Sequence, residues 1–271
     1  MQLCSAQQKV SPVERNNSSS LRRGIALLDA VADATAAGGA TLTELAAAVG
    51  VHKSSALRLL APLAEAGLVR VEQGRHLLGP RTAHLGRGYL DSVDLRALAQ
   101  PALRRLVEES GESVHLVLPD LPDMVYIDKI DGPGRVRMNS TVGSRQPAHS
   151  TGVGRAYLAF AGPHAVDQVV AHGLTKRTER TVTEPAAFRA GLAGIRERGY
   201  AIDDIENEDD IRCVAAPVFD HDGAVVAAVS VAGLATRVTP DRFGRLGELV
   251  VAAGRAISEQ LGAPRHREEP R

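Results

Sequence analysis

The stretch from Thr41 to Gly79 restricts the fold more than any other feature of this chain, because two short helices, a glycine turn and a basic hairpin follow one another in it. Thr41-Leu42-Thr43-Glu44 has the pattern of a capping box, which predicts the start of a helix that runs through Val49. Gly50 supplies the turn, since glycine adopts positive φ at low cost. A second helix is then predicted from His52 to Ala66.

The second helix of this stretch carries apolar residues at helical spacing. Leu57, Leu60 and Leu63 recur on one side and are predicted to form its buried stripe. Pro62 lies within the same helix, where it removes a backbone donor and clashes with the preceding turn. We therefore expect a bend at Pro62 that leaves the half from His52 to Leu59 regular.

A basic hairpin is predicted after the second helix. Leu68–Val71 and His76–Leu78 alternate apolar and polar residues around Glu72–Arg75, which places Arg75 at the tip. A helix that follows a tight turn and precedes such a hairpin is typical of winged helix-turn-helix domains that bind DNA. The candidate DNA-contacting residues are Thr41 and Thr43 at a helix N-terminus, His52, Lys53, Ser54, Ser55 and Arg58 in the second helix, and Arg75.

A plainer interpretation of these polar residues is that they are the solvated surface of a helical bundle. Taken one at a time they favour that interpretation, whereas the order of all the elements favours DNA binding. The charge distribution agrees with the latter: residues 1–90 hold ten Lys and Arg against six Asp and Glu, and the rest hold 22 against 26. A basic N-terminal part and an acidic C-terminal part indicate that only the N-terminal part binds a polyanion.

Composition excludes several other classes of protein. With 271 residues, 44% hydrophobic residues, no Trp and 3% aromatics, the chain has enough aliphatic side chains for the cores of two domains. Its two cysteines, Cys4 and Cys213, are too few and too distant to predict a disulfide framework. Neither a signal peptide nor a membrane span is apparent, so we expect a cytoplasmic protein.

The pattern changes after Ser113 to short strands alternating with helices. Strands are predicted at Val114–Leu118, Met124–Ile127 and Arg135–Met138, and again at Cys213–Phe219 and Val225–Val231, with Asp220–Gly223 as the turn between the last two. Helices are predicted between and after them, the last one capped by Thr239-Pro240 and running to Gln260. This arrangement indicates an α+β domain with a largely antiparallel sheet.

The chain resembles the IclR-type bacterial transcriptional regulators from Ser20 to Gln260. The motifs of the front half are Leu42–Ala46, Lys53–Leu60 and Arg75–Pro80. The motifs of the rear half are more specific, and five of them follow in order: Val125–Lys129, His149–Ala156, Arg198–Asp204, Arg212–Asp220 and Val229–Val231. Two positions depart from the family pattern: Pro62 replaces a helix former, and Ala232 removes a possible hydrogen-bonding side chain two residues after Ser230.

The resemblance implies a metabolite-responsive regulator, repressor or activator, that binds a palindromic DNA operator as a homodimer, which in turn can form a dimer of dimers. It also implies a winged helix-turn-helix domain, linker helices and a GAF-like effector domain that binds a small organic or aromatic acid. The implied boundaries are a disordered tail (1–19), the DNA-binding domain (20–80), the linker (81–110), the effector domain (111–261) and a second disordered tail (262–271). The implied walls of the effector site are Met138, Gly152, Val153, Asp203, Cys213 and Ser230.

The residues themselves leave alternatives open. Backbone N–H groups at Gly152–Gly154 open a helix and suit a carboxylate, but these glycines equally suit close packing. Cys213 is more often a small buried residue than a reactive thiol, and its pairing with His149 as a nucleophilic site is a minor alternative. The sequence shows no nucleotide, metal or hydrolase motif, so neither an enzyme nor a cofactor is expected. A sensor that acts through protein contacts instead of DNA is the competing hypothesis.

Overall fold

The structure is a computed structural model of the chain that describes residues 19–90, 94–134 and 140–264. It divides into two compact units, residues 1–92 and 93–271. Met138 and the strand predicted at Arg135–Met138 lie outside the described residues, as do most residues of the two predicted tails.

The first unit is built from four helices and a small sheet. Its sheet has the strand order β1-β3-β2 and is antiparallel, and its core consists of aliphatic residues that include Leu27, Val31, Leu45, Leu60 and Val69. This is the winged helix-turn-helix arrangement that the sequence predicts. The elements follow in the order α1 (Ser19–Thr35), β1 (Ala40–Thr41), α2 (Leu42–Val49), α3 (Lys53–Glu65), β2 (Val69–Glu72), β3 (Arg75–Leu78) and α4 (Pro80–Leu90).

The turn between α2 and α3 forms as its residues predict. Thr41 caps α2: its hydroxyl accepts from the Glu44 N–H at 3.3 Å, and its own N–H donates to the Glu44 carboxylate at 2.7 Å. Gly50 ends α2 with φ of +66°. His52 is the N-cap of α3. The capping box and the glycine turn are therefore confirmed.

The buried side of α3 differs from the prediction by a rotation about the helix axis. Leu60 is buried and Leu63 is half-buried, as expected, but Leu57 is 55% exposed and Ala56 is fully buried in its place. The prediction for Leu57 is wrong because apolar residues surround α3 on more than one side. The helix continues through Pro62, and the bend expected there stays a prediction.

The hairpin is tighter than predicted and Arg75 is not at its tip. Glu72 pairs with Arg75, so the turn contains only Gln73 and Gly74, with φ of +50° and +77°. Two positive φ values in a two-residue turn match the right-handed twist of the paired strands. Arg75 begins β3 and pairs on its other side with Thr41 of β1, a strand that the sequence pattern does not reveal.

The described residues of the second unit form a six-stranded sheet between helices. All its strand pairs in the described residues are antiparallel, with the order β6-β5-β4-β9-β8-β7, which confirms the α+β class. A 3₁₀ turn at Pro240–Arg242 precedes the last helix. The elements are α5 (Leu95–Ser110), β4 (Ser113–Asp120), β5 (Asp123–Ile130), β6 (Arg145–Pro147), α6 (Gly152–Leu158), α7 (Gly162–His172), α8 (Pro185–Arg198), β7 (Ala201–Asp204), β8 (Ile211–Phe219), β9 (Val225–Leu234) and α9 (Phe243–Gln260).

Each face of this sheet has its own core. One face packs against α5 and α9, and its buried residues include Leu103, Leu116, Val229 and Ile257. The other face packs against α6 and the elements around it. The helix α5, which the sequence assigns to the linker 81–110, therefore contributes Ala99, Leu103 and Leu106 to the core of the second unit.

Candidate functional site

The first half of α3 presents two cations to solvent. Lys53 and Arg58 are exposed, and in the described part of the chain their side chains form no hydrogen bond or ion pair. His52 and Ser54 are exposed beside them, and Ser55 is half-buried. A side chain that is not committed to its own domain is available to a phosphate or a base edge without first breaking a contact.

Thr41 and Arg75 are committed to their own domain. The Thr41 hydroxyl accepts the capping bond from Glu44, while Thr43 is exposed in the first turn of α2. The Arg75 guanidinium donates to the carbonyls of Gly38 and Gly39, at 3.1 Å and 2.7 Å, and lies 3.7 Å from the Glu44 carboxylate. Both residues thus hold the start of α2 against the small sheet, and any contact with DNA is additional.

Glu44 places a negative charge at the N-terminus of α2. The hydrogen bonds from the backbone and side chain of Thr41 lower the pKa of the Glu44 carboxyl, so it is ionised across the physiological range. This carboxylate accepts from the Thr41 N–H, and its negative charge opposes a phosphate at the same helix end. The α3 residues are therefore better placed than Thr41 to meet a polyanion.

The second unit contains a small cavity between the sheet and the start of α6. Its volume is about 30 Å³, room for about two water molecules. It brings together Gly152, Val153, Asp203, Cys213 and Ser230, which are five of the six residues implied by the resemblance; the sixth, Met138, lies outside the described residues. The lining residues that the sequence analysis did not name as site residues are His115, Tyr126, Ser140, Gln146, Thr151, Asn207, Glu208, Ile211 and Ala232.

Strand register brings the polar groups of the cavity onto one face of the sheet. Ser230 of β9 lies directly opposite His115 of β4, and Cys213 of β8 lies directly opposite Asp203 of β7 and Ala232 of β9. Residues directly opposite in antiparallel strands share a face. The expectation that Cys213 and Ser230 face one cavity is therefore confirmed in its geometry.

The two glycines in the first turn of α6, Gly152 and Gly154, lie in different surroundings. A Cβ on Gly154 would lie 2.2 Å from the Ala148 carbonyl oxygen, so close packing requires glycine there. A Cβ on Gly152 would lie 3.0 Å from the Cys213 Sγ and would narrow the cavity. The Gly154 N–H also donates to the Thr151 hydroxyl, which caps α6.

Burial determines the protonation states of the titratable groups that line the cavity. It lowers the pKa of His115 to about 3, so this ring is neutral, with Nε2 at 2.8 Å from the Ser140 hydroxyl. Burial and the nearby Asp203 raise the pKa of Cys213 to about 12, which keeps the thiol protonated and argues against a nucleophile. The alternative partner of that thiol, His149, bonds instead to the Thr175 carbonyl at 2.9 Å.

Asp203 is the acid whose charge changes near neutral pH. Burial raises its pKa from 3.8 to about 7, although Arg155 and two backbone hydrogen bonds act in the opposite direction. The Glu206 N–H at 2.7 Å and the Asn207 N–H at 3.3 Å both donate to the same oxygen, Oδ1. The side chain is thus fixed by one oxygen, while Oδ2 has no hydrogen-bond partner among the described residues.

Other candidate sites in the described residues are weaker. A groove of about 1020 Å³ lies between Phe160, Phe219 and α9, away from the residues implied by the resemblance. Asp220, His221 and Asp222 lie close enough to share a metal ion, but Asp220 Oδ1 accepts two backbone bonds that form the hairpin turn. Of the helices described, none combines the length and apolar character required to cross a bilayer.

A winged helix with exposed cations on α3, followed by a separate unit with a small polar cavity, is the arrangement expected of a DNA-binding regulator. Comparisons with known proteins agree. Residues 20–73 match the model of the IclR helix-turn-helix domain, and residues 87–259 match that of the bacterial transcriptional regulator IclR C-terminal domain. The chain belongs to the IclR family of bacterial transcriptional regulators.

Individual relatives extend over nearly the whole chain. It is 35% identical to the transcriptional repressor IclR of Escherichia coli strain K12 over 251 residues, 91% of each chain. It is 33% identical to the HTH-type transcriptional repressor AllR of Klebsiella pneumoniae over 254 residues, 93% of each chain. These relatives are regulators, in agreement with the prediction that the chain is not an enzyme.

Solved structures give the same result for the fold. A putative IclR transcriptional regulator from Silicibacter sp. TM1040 superposes with a TM-score of 0.85 at 30% identity, covering 93% of this chain and 99% of that one. The Agobacterium tumefaciens repressor BlcR superposes with a TM-score of 0.73 at 27% identity, covering 90% of this chain and 96% of that one.

Proposed function

We propose that this protein is a transcriptional repressor whose affinity for its operator is set by a small organic acid bound in the cavity between α6 and the sheet. The observation that carries the proposal is the small polar cavity, where Asp203, Ser230 and the neutral His115 converge beside Gly152. Such convergence of a few polar groups in a buried pocket is typical of small-molecule sites. The relatives named repressors support the direction of the response.

The test of the proposal combines a thermal-shift screen of organic acids with operator binding. An acid that raises the melting temperature is expected to change operator affinity in a gel-shift titration. Gly152→Ala is expected to remove the response to that acid while operator binding without it is retained, because the added methyl group lies 3.0 Å from Cys213 Sγ.

Gly191→Ala is the matched control for that variant. Gly191 is exposed on α8, and a Cβ there meets open space, so the response is expected to equal that of the unmodified protein. A full response in Gly152→Ala would exclude this cavity as the effector site. The larger groove beside Phe160 would then be the next candidate.

We propose further that α3 reads the operator, with Arg58 at a base edge and the remaining polar residues on the phosphate backbone. Arg58→Ala is expected to weaken specific binding by about 1–3 kcal/mol and to relax preference at one base pair. Lys53→Ala is expected to weaken binding to all sequences and to reduce the salt slope by about one. The other proposed DNA contacts are Thr41, Thr43, His52, Ser54, Ser55 and Arg75.

Arg189→Ala is the control for both Arg58→Ala and Lys53→Ala. Arg189 is exposed in the second unit and pairs with Asp167 at 2.7 Å, so its loss removes the same kind of charge far from α3 in sequence. Specific binding that survives Arg58→Ala unchanged would remove Arg58 from the base-reading surface. A salt slope of zero in the unmodified protein would contradict phosphate contacts altogether.

We propose that the operator is palindromic and that a homodimer binds it, either alone or as a dimer of dimers. A two-fold protein matches a two-fold DNA site, with half-sites about one helical turn apart or a multiple of it. Sedimentation equilibrium tests the assembly, and insertion of half a helical turn between half-sites tests the match. A protein that binds bacterial DNA is expected to act in the cytoplasm, and we propose that location for this one.

A further inference from the structure

An exposed leucine lies in the N-terminal half of α3, the helix proposed to contact the operator. Leu57 is 55% exposed, and it is the only exposed large hydrophobic residue of α3, all of whose residues are described. The core of the first unit takes Ala56 and Leu60 from this helix, with Leu59 and Leu63 packed against it. Leu57 lies outside that core, so its side chain is apolar surface that the fold leaves in water.

The neighbours of Leu57 on the helix surface are residues proposed to meet DNA. Residues three and four positions apart are adjacent on a helix. Lys53 and Ser54 precede Leu57 by four and three positions, Ala61 follows it by four, and all three are exposed. Arg58, the next residue along the chain, is exposed as well. Leu57 is thus the one large apolar side chain among short and cationic side chains on this side of α3.

The position of this leucine matters more than its exposure. A single exposed leucine is ordinary on a protein surface. In a helix-turn-helix domain, however, the N-terminal residues of the second helix contact base edges in the major groove. Leu57 is the fifth residue of α3, which begins at Lys53. A leucine at this position enters the groove with the base-reading residues, and burial against a hydrocarbon group there is favourable.

The major groove offers one kind of apolar group at the base edges, which is the C5-methyl group of thymine. The other groups at these edges are hydrogen-bond donors and acceptors. Opposite an edge without a methyl group, the leucine would displace water from a donor or acceptor and offer no hydrogen bond in return, which costs free energy. Thymine is therefore favoured both by the contact it gives and by the cost that the other bases impose.

We infer that Leu57 is a specificity-determining residue that reads a thymine of the operator through contact with its C5-methyl group. This inference rests on the proposed role of α3 and adds an apolar contact beside the hydrogen bonds expected from Arg58. Burial of one methyl group corresponds to about fourfold in affinity. Where a homodimer covers two half-sites, loss of the methyl group from both is expected to weaken binding by about 16-fold.

A uracil scan tests the inference. The probe is a duplex that the full chain selects from a random double-stranded pool, in which each dT is then replaced in turn by dU, a base that lacks only the C5-methyl group. Fluorescence anisotropy titration gives the ratio of Kd for the dU duplex to Kd for the dT duplex. The unmodified protein is expected to show a ratio of about four at the thymine that Leu57 contacts.

Variants complete a double-mutant cycle with the scan. Leu57→Ala is expected to give a ratio of about one at that thymine, and to fold normally because the side chain is exposed and Ala favours helix. Leu57→Met keeps an apolar side chain of similar size and is expected to retain most of the ratio. Leu85→Ala is the matched control, since Leu85 is an equally exposed leucine of α4, and it is expected to keep the full ratio.

The outcomes separate this inference from the proposed function. Equal affinity of the unmodified protein for dT and dU at every position overturns the inference and leaves DNA binding intact; this is also the result expected if Leu57 contacts another protein chain instead. A ratio that persists in Leu57→Ala assigns the methyl group to a different residue and overturns it too. Loss of all binding in Leu57→Ala does the same, because a methyl contact accounts for only about fourfold. Failure of the protein to select any duplex contradicts the proposed DNA-binding function itself.

Discussion

Replacing Asp203 by Asn is expected to stabilise the second unit in neutral solution without any ligand. Burial raises the pKa of this carboxyl from 3.8 to about 7 in the folded protein. Between these values the folded state keeps a proton that the unfolded state has released, so the stability contributed by Asp203 falls as pH rises. An amide in the same place does not titrate and retains an oxygen for the two backbone donors.

The magnitude follows from the size of the pKa rise. About three pKa units at about 1.4 kcal/mol each give about 4 kcal/mol, an order-of-magnitude figure for a fully buried group. Below about pH 4 the carboxyl is protonated in both states, and the two proteins are expected to be equally stable. Above about pH 7 the full difference is present, which corresponds to roughly 8–16 °C in melting temperature for a unit of this size.

Differential scanning calorimetry over a pH series measures this difference, and other titrating groups cancel when the two proteins are compared. Asp204→Asn is the control, because Asp204 is half-buried and paired with Arg180 and Arg212, so its loss is expected to lower stability. A constant difference in melting temperature between Asp203→Asn and the unmodified protein at every pH would refute the reasoning. The carboxyl group would then be as well solvated in the folded chain as in the unfolded one.

Two further predictions concern the frame of the second unit. Glu112→Gln is expected to lower the free energy of unfolding, measured in urea, by about 3–5 kcal/mol, because the buried Glu112 carboxylate lies within 3.1 Å of two arginines. The control Glu109→Gln removes an exposed ion pair and is expected to lower it by at most about 1 kcal/mol. Equal losses in the two variants would contradict this prediction. Gly154→Ala is expected to lower the melting temperature sharply, since its Cβ would overlap the Ala148 carbonyl, while Gly191→Ala is tolerated; an unchanged melting temperature in Gly154→Ala would show that α6 shifts freely.

The local features of this fold were predictable because their cause lies within a few residues. The capping box of Thr41 and Glu44 satisfies backbone groups only three residues apart, and Gly50 adopts its positive φ whatever packs around it. Asp94 caps α5 and Gly199 ends α8 for the same kind of reason. Such signals depend on backbone chemistry, so the rest of the chain does not alter them.

The orientation of side chains was harder to predict. Leucines at 57, 59, 60 and 63 give α3 two overlapping apolar stripes, and packing against α1 and β2 decides which one is buried. The tip position of Arg75 was wrong because Gln73-Gly74 closes the turn in two residues, and the pairing with β1 then directs Arg75 toward the Gly38 and Gly39 carbonyls. Strands as short as β1 and β6 have no alternation to detect.

The candidate effector site was likewise predictable only where its residues belong to local sequence motifs. Motifs located Gly152, Asp203, Cys213 and Ser230, but nothing local to the chain relates them to His115, which enters the cavity only through the register of β4 against β9. His115 and Tyr126 fall at inward positions of predicted strands, which is the one signal that a sequence analysis had for them. Residues from all six strands of the sheet line the cavity, so their neighbours follow from the sheet topology rather than from their spacing in the sequence.

Three of the residues assigned to function share a physical property that sequence motifs do not report, which is a charged or ionisable group with few partners among the described residues. Lys53 and Arg58 are exposed cations without a counter-ion in the described chain, and Asp203 is a buried acid whose two hydrogen bonds both reach one oxygen, Oδ1. Elsewhere the protein neutralises such groups, as where two arginines enclose Glu112. A buried or clustered charge left without a partner lowers stability, and a ligand of opposite or proton-sharing character is what restores it. By this criterion DNA phosphates are the expected partners of α3, and the cavity beside Asp203 is the expected place for a ligand.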